Sequence, residues 1–345
     1  MNAPHAPDLP PASPAPDLSR PAAGEFDAVL ARGAFMPLDQ FGVIEATGDD
    51  AASFLHGQLT NDIQHLDAAS ARLAGYCSPK GRLIASMLTW RAGQSIRLLV
   101  ARSVCANVQK RLSMFVLRAK AKLADITDAV TVIGFAGDVR EALSSVFEAL
   151  PDGVHVQVAG PLGSLVRVPD ANGRARYLWI GPKAEVEACL PELEARLARV
   201  SSAVWDWLDI RAGEPRIAAD VVEQFVPQMV NFDALGAVNF RKGCYPGQEV
   251  VARSQYRGTI KRRVALAHIA GDSGAVRAGA ELFHSADPGQ PCGMIVNVAA
   301  APRGGFDALV EIKLVSLEEG VVRVGTAEGP ELAFEPLPYA LPTEA

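Results

Sequence analysis

The chain predicts an α+β fold: mixed layers of strands and helices, followed by a small β-barrel at the C-terminal end. Three observations lead there. A length of 345 residues exceeds one ordinary core and calls for two or three packed domains. Up to about residue 240, strand-like alternation keeps exchanging with apolar residues at helical spacing, as α+β layers require. Beyond Lys261 the helical spacing stops, and short alternating runs punctuated by glycine and proline take over.

The elements follow in order. The first 24 residues hold seven prolines, many alanines and a single arginine near their end. They lack both the apolar centre of a signal peptide and the arginine-rich pattern of a transit peptide, so 1–24 reads as a disordered leader. Folded structure is expected from near Phe26. Phe41-Gly-Val-Ile-Glu-Ala-Thr alternates like a strand, and Thr47-Gly-Asp-Asp offers capping side chains for a helix carrying Phe54 and Leu55. Leu73-Ala-Gly-Tyr-Cys, the turn Ser78-Pro-Lys-Gly and Leu83-Ile-Ala-Ser-Met-Leu-Thr-Trp form a predicted hairpin, with a third strand at 96–100. Val104, Val108, Leu112, Phe115 and Val116 predict a helix over 103–117, followed by a strand at 130–135 and a helix at 138–150. Strands near Leu165 and at 177–180 come next, then helices near 183–199 and from about Val204 to Ala212. The barrel strands are expected at 263–269, 293–298, 309–315 and 321–324.

Composition narrows the function. With 49% hydrophobic and 21% charged residues the chain reads as a soluble globular protein, and no apolar run approaches the roughly 18 to 20 residues that span a bilayer, so no membrane partner is expected. Five cysteines, at 77, 105, 189, 244 and 292, are odd in number and scattered, with no C-x-x-C. That spacing writes neither a disulfide framework nor a local metal-ligand set, and it fits a reducing cytoplasm. His56, His65, His155, His268 and His284 never fall at ligand spacing and read as surface or satisfied-core residues, so no metal site is expected. Cys77 and Cys292 sit in strand-like runs and read as packing residues. A net charge of −6 argues against a dedicated nucleic-acid binder, although tRNA contact through a local basic stretch stays open.

That stretch begins in the most informative part of the chain, Phe240-Arg-Lys-Gly-Cys-Tyr-Pro-Gly-Gln-Glu249. Tyr245-Pro-Gly-Gln248 is built for a type II turn, in which proline presets the second position and Gly247 supplies the positive φ of the third. Cys244 stands at the entrance of the turn, Gly243 leaves the backbone beside it open, and Arg241 and Lys242 favour the thiolate. From 241 to 263 there are seven basic residues (Arg241, Lys242, Arg253, Arg257, Lys261, Arg262, Arg263) and one acid, Glu249, a local charge of +6. On these residues alone a half-buried packing cysteine is as good a reading as a reactive one.

Several separated blocks resemble a known family, the folate-binding YgfZ proteins, bacterial relatives of a mitochondrial iron–sulfur assembly factor. They are Phe54-Leu-His-Gly-Gln-Leu-Thr-Asn-Asp, Tyr76-Cys-Ser-Pro-Lys-Gly-Arg, Ile210-Arg-Ala-Gly-Glu-Pro, Phe225-Val-Pro-Gln-Met-Val-Asn, the cysteine decapeptide with Val-Val-Ala-Arg253 behind it, and Glu335-Pro-Leu-Pro-Tyr. The Lys242-Gly-Cys-Tyr-Pro-Gly-Gln-Glu block is the specific one. The resemblance implies a three-domain aminomethyltransferase-like fold, with two ferredoxin-like α+β domains around a central folate channel and a C-terminal β-barrel. It implies 25–66 with 151–240 as a discontinuous folate-binding domain, 67–150 as a second α+β domain, 241–262 as cysteine motif and basic connector, and 263–345 as the barrel. Tetrahydrofolate is the implied cofactor, contacted by Trp205 and by Phe41, where the family has a tryptophan. Cys244 is the implied working group beside Lys242, supported by Tyr245, Gly247, Gln248, Glu249 (fixing the turn) and Arg253. The implied partners are iron–sulfur enzymes and cluster-assembly proteins.

One departure separates the chain from the enzymes of that fold. Aminomethyltransferases carry adjacent aspartates on the strand after the first hairpin turn, where this chain reads Leu83-Ile84-Ala85-Ser86, and the acid of their Glu-Ala-Gly block is Arg211 here. The resemblance therefore implies an accessory protein rather than a conventional enzyme. Two alternatives are a folate-dependent one-carbon transferase or demethylase using Cys244, and an RNA-binding module built on the 241–263 stretch. Against the last, Tyr245 and Tyr256 are the only aromatics there to stack on bases.

Overall fold

The computed structural model describes residues 20–256, 260–271 and 274–342. The leader expected over 1–24 lies outside the described residues up to residue 19. The chain forms three sheets, and its first two full strands already belong to different ones. Gly33–Pro37 pairs with Val130–Gly137 and Ala198–Arg199. Phe41–Thr47, just downstream, pairs with Ser95–Ala101 and Lys122–Asp125.

The first sheet has the order Ala198–Arg199, Gly33–Pro37, Val130–Gly137, Arg174–Pro182, Gly163–Ala171, Gln157–Gly160. Period-two alternation splits its side chains between two faces. Phe35, Phe135, Leu165, Tyr177 and Trp179 pack on one face with residues of the helices Arg140–Val146 and Lys183–Glu194, while Met36, Val132, Leu178 and Ile180 face a central core. The second sheet runs Ala71–Cys77, Leu83–Ala92, Ser95–Ala101, Phe41–Thr47, Lys122–Asp125. Its outer face (Ile44, Ala74, Tyr76, Leu98) meets the helices Ala51–His56 and Arg102–Met114, and its inner face (Phe41, Val43, Leu88, Trp90, Leu99) meets the same central core. Between the sheets lies the helix Ser202–Arg211, with Val204, Trp205, Trp207, Leu208 and Ile210 all buried. Buried apolar residues around most of its circumference mark a helix largely surrounded by protein.

The third sheet takes the order Val322–Val324, Glu281–His284, Asp287–Ala300, Phe306–Lys313, Arg262–Ile269, Leu332–Glu335. An isolated bridge between Arg323 and Glu331, the residue before Leu332–Glu335, brings the two edges together, so the sheet curls into a half-barrel at the expected place.

Sheet membership changes along the chain at 38–40 and 126–129, because Phe41–Thr47 finds its partners among residues 95–125 and Val130–Gly137 finds its own at 33–37 and 174–182. Some expectations are corrected. The helix expected over 138–150 covers only Arg140–Val146, since the chain turns extended at Phe147. The helix Gln248–Tyr256 occupies part of what reads as a connector. Among the described residues no helix is long and apolar enough to cross a membrane.

Candidate functional site

The central helix sets the geometry of a cleft between the two α+β sheets. Trp205 is buried against Gly134, where any side chain would collide with the indole, and the Arg176 guanidinium stacks 4.9 Å from its ring centroid. Arg176, itself fully buried, donates to Asp209 at 2.7 Å and Glu214 at 2.6 Å. Arg216 pairs with Asp206 and, at 3.1 Å, with Asp209, and its guanidinium lies 4.9 Å from the ring centroid of Phe41. Burial pushes the Asp209 carboxyl up to about 6 against the pull of Arg176 and Arg216, and it raises Glu214 as well. Phe41, Leu88, Leu178 and Trp205 line the cleft, with Asp209, Glu214 and Arg216 among its polar members. Apolar walls with a few convergent polar groups are the usual form of a small-molecule site.

Phe41 and Trp205, chosen from sequence, thus meet in one cleft. The carboxylates beside them are absent from the sequence reading. Ser86 accepts the Ile217 N–H at 2.9 Å and so holds the segment that carries Glu214 and Arg216. Asn297 of the barrel clamps the same segment, accepting the Arg216 N–H and donating to its carbonyl, both at 2.8 Å. The acid of the cleft comes from the helix end. Its sequence signal is the pair Asp206 and Asp209, one helical turn apart, with Arg216 downstream. Arg211 points away from the cleft, to Glu335 at 2.6 Å and Asp307 at 3.5 Å.

The cysteine motif forms a second locus. Gly247 has φ +79° and the Gln248 N–H donates to the Tyr245 carbonyl at 3.2 Å, which closes the expected turn. A Cβ on Gly247 would lie 2.5 Å from the Ser78 carbonyl oxygen and 2.6 Å from Gly81 Cα, so the turn seats directly on the hairpin turn at 78–82. Cys244 is exposed and Tyr245 buried, its phenol pushed up by burial and by nearby Cys77. The Lys242 ammonium donates to the carbonyls of His56 and, at 2.9 Å, Leu59, and lies 4.7 Å from the Tyr245 ring centroid. Burial lowers Lys242 to about 8, opposed by the charges of Asp62 and Cys244.

The other residues of the motif and of the basic stretch are placed as follows in the fold. A Cβ on Gly243 would meet only His56 Nε2, at 3.7 Å, an ordinary contact, so close approach does not require glycine there. Glu249 is exposed in the first turn of the helix Gln248–Tyr256, where its charge complements the helix dipole; the turn itself is closed by backbone. Arg253 is exposed in that helix's last turn. Arg262 pairs with Glu311, and Arg263 pairs with buried Asp233 through contacts of 2.6 and 2.9 Å, so the basic stretch is partly neutralised; Arg257 lies outside the described residues. Cys244, Lys242 and Tyr245 do not line the cleft, and the predicted site therefore falls in two places.

No family model matches the chain. The tRNA-modifying protein YgfZ of Photorhabdus laumondii is 34% identical to it over 313 residues, which cover 89% of this chain and 92% of that protein. The chain belongs to the YgfZ family. YgfZ proteins of Edwardsiella ictaluri and Serratia proteamaculans are 33% and 32% identical to it, each covered over 92% of its length. Among solved structures, the glycine cleavage system aminomethyltransferase T of Bartonella henselae matches with a TM-score of 0.72 at 16% identity, over 92% of this chain and 88% of that one. This YgfZ-family chain therefore has the aminomethyltransferase-like α+β fold.

Proposed function

We propose that this chain binds tetrahydrofolate in the cleft between Phe41 and Trp205 and acts as an accessory protein for the assembly, maintenance or repair of iron–sulfur enzymes, with Cys244 as its working thiol. What supports the folate reading is the donor set. A pterin is flat and aromatic, with an edge rich in N–H groups; Phe41 and Trp205 line the cleft, and Asp209 and Glu214 offer carboxylate acceptors in it. Bound tetrahydrofolate would supply a one-carbon acceptor there. What supports the thiol reading is exposure: Cys244 alone of the five cysteines is exposed, and Lys242 is held beside it. The name tRNA-modifying protein, given to the relatives, fits if the client enzymes act on tRNA, and a soluble cytoplasmic location fits this role.

The test is genetic. Cys244→Ala keeps the fold and tetrahydrofolate binding, while iron–sulfur enzyme activity in cells falls towards that of a deletion strain. A folded alanine variant that restores those activities as fully as the wild type removes Cys244 from the function.

Asp209 favours a second reading, a folate-dependent one-carbon transferase or demethylase. A buried carboxylate raised to about 6 beside a folate cleft has the acid–base character that such transfer uses, even with Ala85 and Ser86 on the neighbouring strand. Turnover of a methylated amine by purified protein with tetrahydrofolate supports that reading; its absence with folate bound supports the accessory role.

A further inference from the structure

Beside the cysteine turn stands a histidine with no part in the reading above. His56 ends the helix Ala51–His56, and its Nδ1 lies 2.9 Å from Oδ1 of Asp62, whose other oxygen lies 2.9 Å from Nδ1 of His65. Asp62 sits on a fixed loop. Its N–H donates to Asn61 Oδ1 at 2.8 Å, and the Asn61 amide donates to the carbonyls of Leu73 at 2.7 Å and Gly236 at 2.8 Å. Burial pushes the Asp62 carboxyl up, but the hydrogen bonds and charge of His65, with the charge of His56, outweigh it and hold the group at about 2. An ionised carboxylate only accepts, so His56 Nδ1 carries the proton and Nε2 keeps the lone pair. The contact of Nδ1 with the Gln64 N–H, at 3.4 Å, is too long to reverse that tautomer.

Nε2 faces the motif. It lies 3.7 Å from where a Cβ would stand on Gly243, and the main-chain carbonyl of the same His56 holds the Lys242 ammonium. Two consecutive motif residues therefore lie against His56, and Cys244 is the next. Burial, then the charge of Lys242, lowers His56 and keeps it neutral at pH 7, with Asp62 acting in the opposite direction. Around Asp62 stand His56, His65, Lys242 and, at 3.9 Å, Arg72. Among the described residues no three His, Cys, Asp or Glu side chains group to hold a metal ion.

We propose that His56 is the proton acceptor for the Cys244 thiol, with Asp62 as its positioning residue, in a nucleophile–base–orienter arrangement whose substrate is a soft electrophile. The inference rests on Cys244 being the working thiol. In the step the S–H bond breaks, its electron pair stays on Sγ, and the proton passes to Nε2. The imidazolium so formed faces the Asp62 carboxylate and later gives the proton to the group that the thiolate displaces.

The experiment follows iodoacetamide alkylation of Cys244 in the full chain by peptide mass spectrometry, from about pH 5.5 to 8.5, across the range where imidazoles titrate. An isolated thiol loses about tenfold in rate for each pH unit below its pKa. The wild type should fall less steeply below pH 7, because the neutral imidazole takes the thiol proton as Sγ attacks, so the rate no longer depends on the free thiolate alone. His56→Gln should restore the full slope and slow labelling at pH 6 by about tenfold; Lys242 keeps its tethers, which are main-chain carbonyls. Asp62→Asn should lie between, and Asp62→Glu should recover towards wild type. A His56→Gln profile that superimposes on the wild type, with Cys244 still the fastest cysteine, overturns this inference and leaves the thiol reading standing. If that variant does not fold, an unchanged Asp62→Asn profile overturns it equally. Wild-type Cys244 that labels no faster than buried Cys292 overturns the thiol reading itself.

Discussion

At the scale of single residues, burial sorts the five thiols. It pushes Cys77 up to about 12 and Cys105 to about 11, and it raises Cys189 and Cys292, whereas Cys244 stands exposed. Since the thiolate is the nucleophile, iodoacetamide at pH 7 should modify exposed Cys244 more than tenfold faster than Cys77, whose thiol burial keeps protonated. Lys242→Ala should slow it. A peptide map led by any other cysteine would contradict this. In the cleft, Trp205→Ala should weaken tetrahydrofolate binding by about 1 to 3 kcal/mol, on the scale of base–aromatic stacking, read by calorimetry under conditions where the variant is shown to be folded. Asp209 gives a pH signature. Its folded-state value, about 6, lies above the ordinary 3.8, so its contribution to stability is fully present below about pH 4 and is lost as the pH rises through 6. Relative to Asp209→Asn, the wild type should therefore lose stability over that window in urea titrations; parallel curves would rule the shift out. Cys244 was picked out by a specific motif, whereas Phe41 and Trp205 were picked out through the family resemblance. Asp209, Glu214, His56 and Asp62 were not, since what gives them a role is a partner brought from elsewhere in the fold: Arg176 for the first two, the cysteine motif for the others.

At the scale of elements, the turn that presents Cys244 is held by glycines of unequal necessity. Gly247 combines a positive φ with backbone atoms at 2.5 and 2.6 Å from any Cβ, so nothing flexible can yield; Gly247→Ala should cost about 1 to 3 kcal/mol in denaturant titrations. Gly243 lacks both constraints, and Gly243→Ala should stay within about 0.5 kcal/mol, as surface substitutions do. Equal losses in the two variants would place the strain elsewhere. The turn was legible because Pro-Gly dictates its dihedral angles. The hairpin Ala71–Ala92 and the helix Ser202–Arg211 were legible for a similar reason, their periodicity being local. Sheet membership was not: Phe41–Thr47 alternates identically whichever sheet it joins, and only its pairing with Ser95–Ala101 decides. The helix Gln248–Tyr256 escaped notice because Val251 is its only buried side chain, too little to write a period.

At the scale of the molecule, one helix joins all three sheets. Trp205 faces the cleft, while Trp207, on the same helix, donates its indole N–H to Asp307 of the barrel at 2.8 Å. Asp307 is buried and also receives His268 at 2.9 Å, Arg303 at 3.3 Å and Arg211 at 3.5 Å. The barrel was visible in the sequence as a change of period beyond Lys261, but its docking was not, because Asp307 and Trp207 are a hundred positions apart and each reads as an ordinary residue. That docking has a consequence for the cleft. Asn297, on the strand paired with Phe306–Lys313, clamps the backbone at Arg216, and the same segment supplies Glu214. Asp307→Ala removes the acceptor of a buried indole and leaves Arg211 short of one partner, which should cost about 3 to 5 kcal/mol of stability. It should also weaken tetrahydrofolate binding several-fold although Asp307 does not line the cleft, because the clamped segment loses its support. Asp307→Asn, which still accepts from Trp207, should lose less of both. The two effects are separable by measuring affinity well below the unfolding transition of each variant: an Asp307→Ala protein that is clearly less stable yet binds tetrahydrofolate as tightly as the wild type would show that the cleft is shaped by the two α+β sheets alone.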